Sequence, residues 1–298
     1  MYRGSGGLCR VETVQLMNLD STNVGPSHWL SIARAIEARY WDYDGFVVTH
    51  GTDTMAYTAA ALSYLIQRSP KPIVLTGSQR SICMEDTDAR MNLYNAFLYA
   101  AAEGSRGVSL VFDGKVISGT RARKERTKSF NAFSSVDYPE LAIIRDGRLI
   151  RYLAELDHTD GPEFFHCLEE RVLLLTLIPG MGADALSALR DSYQAVILQN
   201  FGVGGVPGGS SGPFARAMED WLRAGKTIVM MTQVPYEGSD MAVYQVGYQV
   251  KEKYQLMEAY SMTLEAAATK LMWILGQTRD PEEVRRLFYQ PVQWDIIR

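Results

Sequence analysis

The sequence predicts an α/β protein of two domains: a large N-terminal, mostly parallel sheet with helices on both faces, then a smaller C-terminal α/β domain. Three observations carry this. Short β-branched runs alternate with helical patterns through the first half, which implies βαβ units. A polar, turn-rich stretch, Asp157-His158-Thr159-Asp160-Gly161-Pro162, interrupts the pattern, and strand–helix alternation then returns. A chain of 298 residues is also long enough for two domains of ordinary size. The resulting boundaries are 1–156 for the first domain, 157–170 for a linker and 171–298 for the second.

Taken in order, Val11-Glu12-Thr13-Val14-Gln15-Leu16-Met17 alternates and reads as a strand. Pro26 opens a helix in which Trp29, Ile32, Ala33 and Ile36 share one face. Gly45–Thr49 is a buried-strand run, Asp53–Gln67 a helix, Pro72–Thr76 a strand, Asp88–Ala102 a helix and Val108–Phe112 the next strand. From Lys115 to Arg151 short alternating runs and a turn at Asp146-Gly147 suggest a hairpin region. Beyond the linker, Arg171–Leu177, Ala195–Leu198 and Lys226–Thr232 read as strands. Ala183–Arg190, Phe214–Ala224 and Leu264–Leu275 read as helices, and Asp280-Pro281 caps a last one.

Composition narrows the partners. Hydrophobic residues make up 47% and charged residues 21%, the balance of a globular protein, with a net charge of −4 that draws the chain toward neither nucleic acid nor anionic lipid. No apolar run approaches the roughly 18 residues of a membrane helix, and residues 1–7 lack the apolar core of a signal peptide. Cys9, Cys83 and Cys167 are far apart without CxxC spacing, which predicts reduced thiols in a cytoplasmic protein. His28, His50, His158 and His166 show no zinc-type pairing. A small-molecule or protein partner remains.

Three segments could carry chemistry. Thr49-His50-Gly51-Thr52-Asp53-Thr54 lies where a buried strand ends and a helix begins, the place where open α/β sheets bind ligands. The same residues fit equally well if Thr52 or Asp53 only caps the helix. Asn18-Leu19-Asp20-Ser21-Thr22-Asn23 taken alone is a turn. Lys124, among Arg121, Arg123 and Arg126, reads unaided as part of a solvated basic face.

Together these segments resemble the L-asparaginase family, in its cytoplasmic bacterial type I branch. His50-Gly51-Thr52-Asp53-Thr54-Met55-Ala56-Tyr57 is close to the family's second signature, and Thr76-Gly77-Ser78-Gln79 follows one strand later. Asp88-Ala89-Arg90-Met91-Asn92-Leu93 is similar to its Asp-Gly-Arg-x-Asn-Leu helix start, with Ala89 in place of glycine, and Glu265–Leu271 also matches. The Gln15–Ser21 stretch points to type I, and the resemblance runs from about Val11 to the C-terminus. It implies an asparaginase-like fold and hydrolysis of L-asparagine to L-aspartate and ammonia through a threonine nucleophile, with no metal or cofactor. Thr52, Asp53 and Lys124 match the relay that activates a nucleophile, because an alcohol attacks poorly until a base draws off its proton. Asp20 and Ser21, with Thr52 and Asp53, match the substrate-binding positions. The resemblance also implies a homodimer or homotetramer, with Leu264, Ala267, Ala268, Leu271 and Met272 serving either that contact or the core.

Three departures stand out. Family members carry a strand running into Thr-Gly-Gly-Thr-Ile, whose first threonine is the primary nucleophile, and no such motif occurs here. The expectation is an N-terminally truncated copy with impaired activity and stability. The alternatives are a non-catalytic asparagine-binding pseudoenzyme and an asparaginase-like subunit of a tRNA-dependent amidotransferase. Gly205 stands where several members have an asparagine directed toward a neighbouring subunit, and Val234 where some type I enzymes have the cysteine of an effector pocket.

Overall fold

The computed structural model describes residues 7–153, 161–242 and 256–297. The chain divides into two compact units, Met1–His166 and Cys167–Arg298. The turn-rich residues 157–160 lie outside the described residues, as do residues 1–6.

The first unit is built on a six-stranded sheet. Its strands are β1 (Phe46–Thr49), β3 (Pro72–Thr76), β4 (Gly107–Phe112), β5 (Lys115–Ser118), β8 (Ala142–Arg145) and β9 (Arg148–Arg151), in that spatial order. β1, β3 and β4 pair in parallel, with Val48 opposite Leu75 and Leu75 opposite Leu110. From β4 onward the pairing is antiparallel, built from the 115–151 hairpin region, and Asp146-Gly147 forms the β8–β9 turn with both residues at positive φ. β3 and β4 are buried at every position, as continuous apolar runs require. Short pairs flank the sheet: β2 (Ile66–Gln67) with β10 (Glu163–Phe164), and β6 (Ala122–Lys124) with β7 (Phe133–Ser135).

Three α-helices lie among the described residues of this unit. In α1 (Pro26–Glu37) the expected stripe Trp29, Ile32, Ala33 and Ile36 is the buried face. α2 (Met55–Leu65) is buried almost all round, and its small residues Ala56, Ala59, Ala60 and Ala61 let neighbours approach closely. α3 (Ala89–Ala100) lies against β1, β3 and β4.

One expectation fails. Val11–Met17 forms no strand: the segment has no regular secondary structure, and Val11, Val14 and Leu16 are exposed. Alternation gives a strand two faces, but its backbone groups still need a neighbouring ladder, and among the described residues none pairs with this segment.

The second unit holds a four-stranded parallel sheet of β11 (Val172–Thr176), β12 (Ala195–Asn200), β13 (Thr227–Thr232) and β14 (Met257–Glu258), in that order. Among the described residues its helices are α4 (Asp184–Leu189), α5 (Pro213–Arg223), α6 (Leu264–Gln277) and α7 (Pro281–Tyr289). Phe214, Ala217, Met218 and Trp221 of α5 pack into a core with Val196, Leu198, Ile228 and Met230, and the Trp221 indole donates to the Leu186 carbonyl at 2.7 Å. Thr263 caps α6 through the Ala266 amide (3.1 Å), and Asp280 caps α7 through the Glu283 amide (2.9 Å).

Candidate active site

β1 and β3 are parallel neighbours, so the loops leaving their C-terminal ends lie side by side, where α/β sheets place ligands. The ladder runs one residue past β1, with the His50 amide donating to the Thr76 carbonyl at 2.8 Å. Two glycines make this packing feasible. A Cβ on Gly77 would sit 2.1 Å from the His50 carbonyl oxygen, and one on Gly51 would sit 2.7 Å from Ser21 Oγ.

Thr52 and Asp53 follow Gly51, and Lys124 reaches them from the end of β6, 72 residues on from Thr52. Its ammonium donates to Thr52 Oγ1 at 2.8 Å and to Asp53 Oδ1 at 2.6 Å. The Lys124 side chain is only 13% exposed, whereas Asp53 is 57% exposed. Lys124 is therefore no solvated basic residue: it is an enclosed ammonium, held on one side by a buried hydroxyl and on the other by a carboxylate open to water. Nor does Thr52 or Asp53 cap α2. The cap position belongs to Thr54, whose hydroxyl donates instead to the Ser21 carbonyl at 2.6 Å.

Ser21 is thereby drawn to the site, buried against Gly51 in the 3-10 turn Ser21–Asn23. Asp20 is exposed and caps this turn, accepting from the Thr22 amide and hydroxyl at 2.9 Å each, and these bonds hold its carboxyl below the usual carboxylate range. The turn reading of this segment and its place beside Gly51 are both true. The first explains Asp20 and the second Ser21.

Two groups that spacing did not single out complete the arrangement. Thr52 Oγ1 donates to Gln79 Oε1 at 3.0 Å, and the Gln79 amide nitrogen donates to the carbonyls of Ser129 (3.0 Å) and Arg126 (3.4 Å) beyond β6. Beneath them, Trp29 Nε1 donates to Thr58 Oγ1 at 3.0 Å, and Thr58 meets His50 Nε2 at 2.9 Å. Burial holds the His50 imidazole below its ordinary pKa, against its hydrogen bond to the Gly51 carbonyl, which favours the charged ring. The signal for Gln79 lay in the Thr76–Gln79 motif, which marked the loop without a role for the side chain.

A hydroxyl, an ammonium and a carboxylate within hydrogen-bond reach of one another, at strand ends of a two-domain α/β chain, form a set that can activate an alcohol and make this a candidate hydrolase site. Comparison with known proteins agrees. Residues 2–156 match the family model described as Asparaginase, N-terminal, and residues 171–288 match the Glutaminase/Asparaginase C-terminal domain. The chain belongs to the asparaginase family. It is 37% identical over 288 residues to an L-asparaginase of Thermococcus kodakarensis, covering 96% of this chain and 86% of that protein. A solved structure of the thermostable L-asparaginase from Thermococcus kodakarensis superposes with a TM-score of 0.92 at 36% identity, over 97% of this chain and 87% of that one. L-asparaginase 1 of Escherichia coli K12 is 34% identical, with 93% and 82% covered. A glutamyl-tRNA(Gln) amidotransferase subunit of Metallosphaera sedula is 35% identical, with 91% of this chain but 64% of that protein covered.

Proposed function

We propose that the chain is a cytoplasmic amidohydrolase whose substrate is L-asparagine and whose products are L-aspartate and ammonia. The observation that carries this is Lys124 Nζ set between Thr52 Oγ1 and Asp53 Oδ1, at 2.8 and 2.6 Å. An ammonium in that position orders the threonine oxygen but takes no proton from it. Once neutral, its nitrogen can accept the hydroxyl proton, with Thr52 turning its O–H away from Gln79. The ammonium proton leaves beforehand through Asp53, which is 2.6 Å from Nζ and open to water. Ser21 and Asp20 fit recognition of the α-carboxylate and α-amine, the first by its hydroxyl beside Gly51 and the second by its negative charge. Fixing both ends of the substrate sets its side-chain amide for attack.

The sequence contains no Thr-Gly-Gly-Thr, so turnover by these 298 residues alone is expected to be impaired relative to the family. Residues 157–170 would link the two domains, and a homodimer or homotetramer is the expected assembly. Leu264, Ala268 and Met272 support the latter as a half-exposed stripe on α6, while Ala267 and Leu271 face the core.

Ammonia release from L-asparagine, with calorimetric binding of the same ligand, tests the reading. Lys124→Met should lower the rate by about 10²–10⁴-fold, the contribution of a positioned proton acceptor, with little change in affinity. Binding without ammonia release would favour the non-catalytic binder, and neither binding nor release would overturn the assignment.

A further inference from the structure

The residue that starts α3 does not serve its own helix. Asp88 occupies the N-cap position, where an aspartate ordinarily accepts from the first turn, yet it makes no capping hydrogen bond. Its carboxylate, 9% exposed, turns back onto the loop that leaves β3. It accepts from the Gln79 amide at 3.1 and 2.9 Å, from the Arg80 amide at 3.1 Å and from Asn92 Nδ2 at 3.1 Å. Asn92, one turn further along α3 and 2% exposed, also donates to the Gly77 carbonyl (3.0 Å) and accepts from the Asp113 amide (2.9 Å). Residues 77–80 are thus held at their backbone by one buried carboxylate and its amide neighbour, and the side chain that this backbone presents is Gln79, hydrogen-bonded to Thr52.

We propose that Asp88 is a positioning residue of the Thr52 site, setting the Gln79 backbone so that Gln79 Oε1 receives the Thr52 hydroxyl. The inference rests on the functional reading above only for its consequence on rate; its structural content stands apart from turnover. The chemistry of the contact explains why an acid is used. Two backbone N–H groups and an amide NH₂ converge on the carboxylate, so both oxygens must accept. An asparagine at this position would set an NH₂ against another donor, leaving buried groups unsatisfied.

The test follows the Thr52 methyl resonance in the full chain with ¹³C-methyl threonine, in Asp88→Asn, Gln79→Ala, the double variant and Thr87→Ala. The last removes the Thr87 Oγ1 bond to the Arg80 carbonyl and so loosens the same loop elsewhere. Asp88→Asn and Gln79→Ala should each move the Thr52 signal, Asp88→Asn should add nothing in the Gln79→Ala background, and Thr87→Ala should leave the signal in place. Asp88→Glu should restore part of the shift. With L-asparagine turned over, Asp88→Asn should lower kcat about tenfold with KM nearly unchanged, the split expected when only the reacting hydroxyl is misplaced. A folded Asp88→Asn chain with an unmoved Thr52 signal, or additive shifts in the double variant, overturns the proposal. So does failure of both Asp88 variants to fold, since the carboxylate would then serve the whole fold. A wild-type chain that neither binds nor turns over L-asparagine would count against the asparaginase reading while leaving the methyl measurement intact.

Discussion

At the scale of single residues, the hydrogen bonds around His50 select one protonation state. The Gly51 carbonyl can only accept, so Nδ1 carries the proton; in the neutral ring Nε2 then accepts from the Thr58 hydroxyl, which itself accepts from the Trp29 indole. A charged ring would aim a second N–H at the Thr58 oxygen and strand the hydroxyl proton. Because the folded pKa lies below the unfolded value of about 6.5, the folded state binds the proton less tightly. The stabilising contribution is whole above that value and is lost as pH falls through the folded pKa. Unfolding free energy should decline below about pH 6.5, and His50→Gln should flatten this part of the profile in denaturant titrations at pH 5 and pH 8. Thr52 and Asp53 stand out in the sequence because they sit in a motif. Lys124 is legible only through the family resemblance, since its bare surroundings are those of a solvated basic face. Asp88 has a motif but no role there, because a carboxylate that starts a helix looks like a cap until its partners are seen.

At the scale of elements, buried and capped segments follow their local pattern: β3 has the bounds its apolar run predicts, and Asp280-Pro281 starts α7 as expected. Val11–Met17 departs from its pattern for a reason internal to strands. A helix satisfies its own backbone, whereas a strand is completed only by a neighbour that local alternation cannot announce. Sequence pattern is likewise silent on what holds the entry to β11. Glu169 takes Arg171 through Nε and Nη2 at 2.9 Å each and Arg279 at 2.8 Å, which hold its carboxyl down at about 2. Its side chain is 11% exposed, so screening by water is limited. Glu169→Gln should cost about 1.5–3 kcal/mol at neutral pH, the range for hydrogen bonds to charged groups. The folded pKa is depressed, so the difference from wild type should shrink as pH falls from the ordinary glutamate range toward about 2, as followed by urea unfolding across that window.

At the scale of the whole molecule, the C-terminal end of the chain is fastened to the second unit by a buried ion pair. Lys270 Nζ lies 2.7 Å from Asp295 Oδ2 with both side chains fully buried, and it also donates to the Gln290 carbonyl at 2.8 Å. Asp295 accepts in turn from the Val292 amide at 2.9 Å. Asp295→Asn strands a buried ammonium and should cost about 3–5 kcal/mol, whereas replacing the pair by Met and Leu should recover most of that loss. Chemical denaturation of the three chains reads the difference. By itself the sequence determined the class of fold, the positions of the buried strands and amphipathic helices, and the family, because each is written in local periodicity or in contiguous motifs. Only the tertiary structure decided which strand finds a partner, that the Lys124 ammonium is enclosed between Thr52 and Asp53, and that Asp88 leaves its own helix to hold the Gln79 loop. Those outcomes depend on groups far apart in sequence meeting at hydrogen-bond distance, and local pattern carries no record of such meetings.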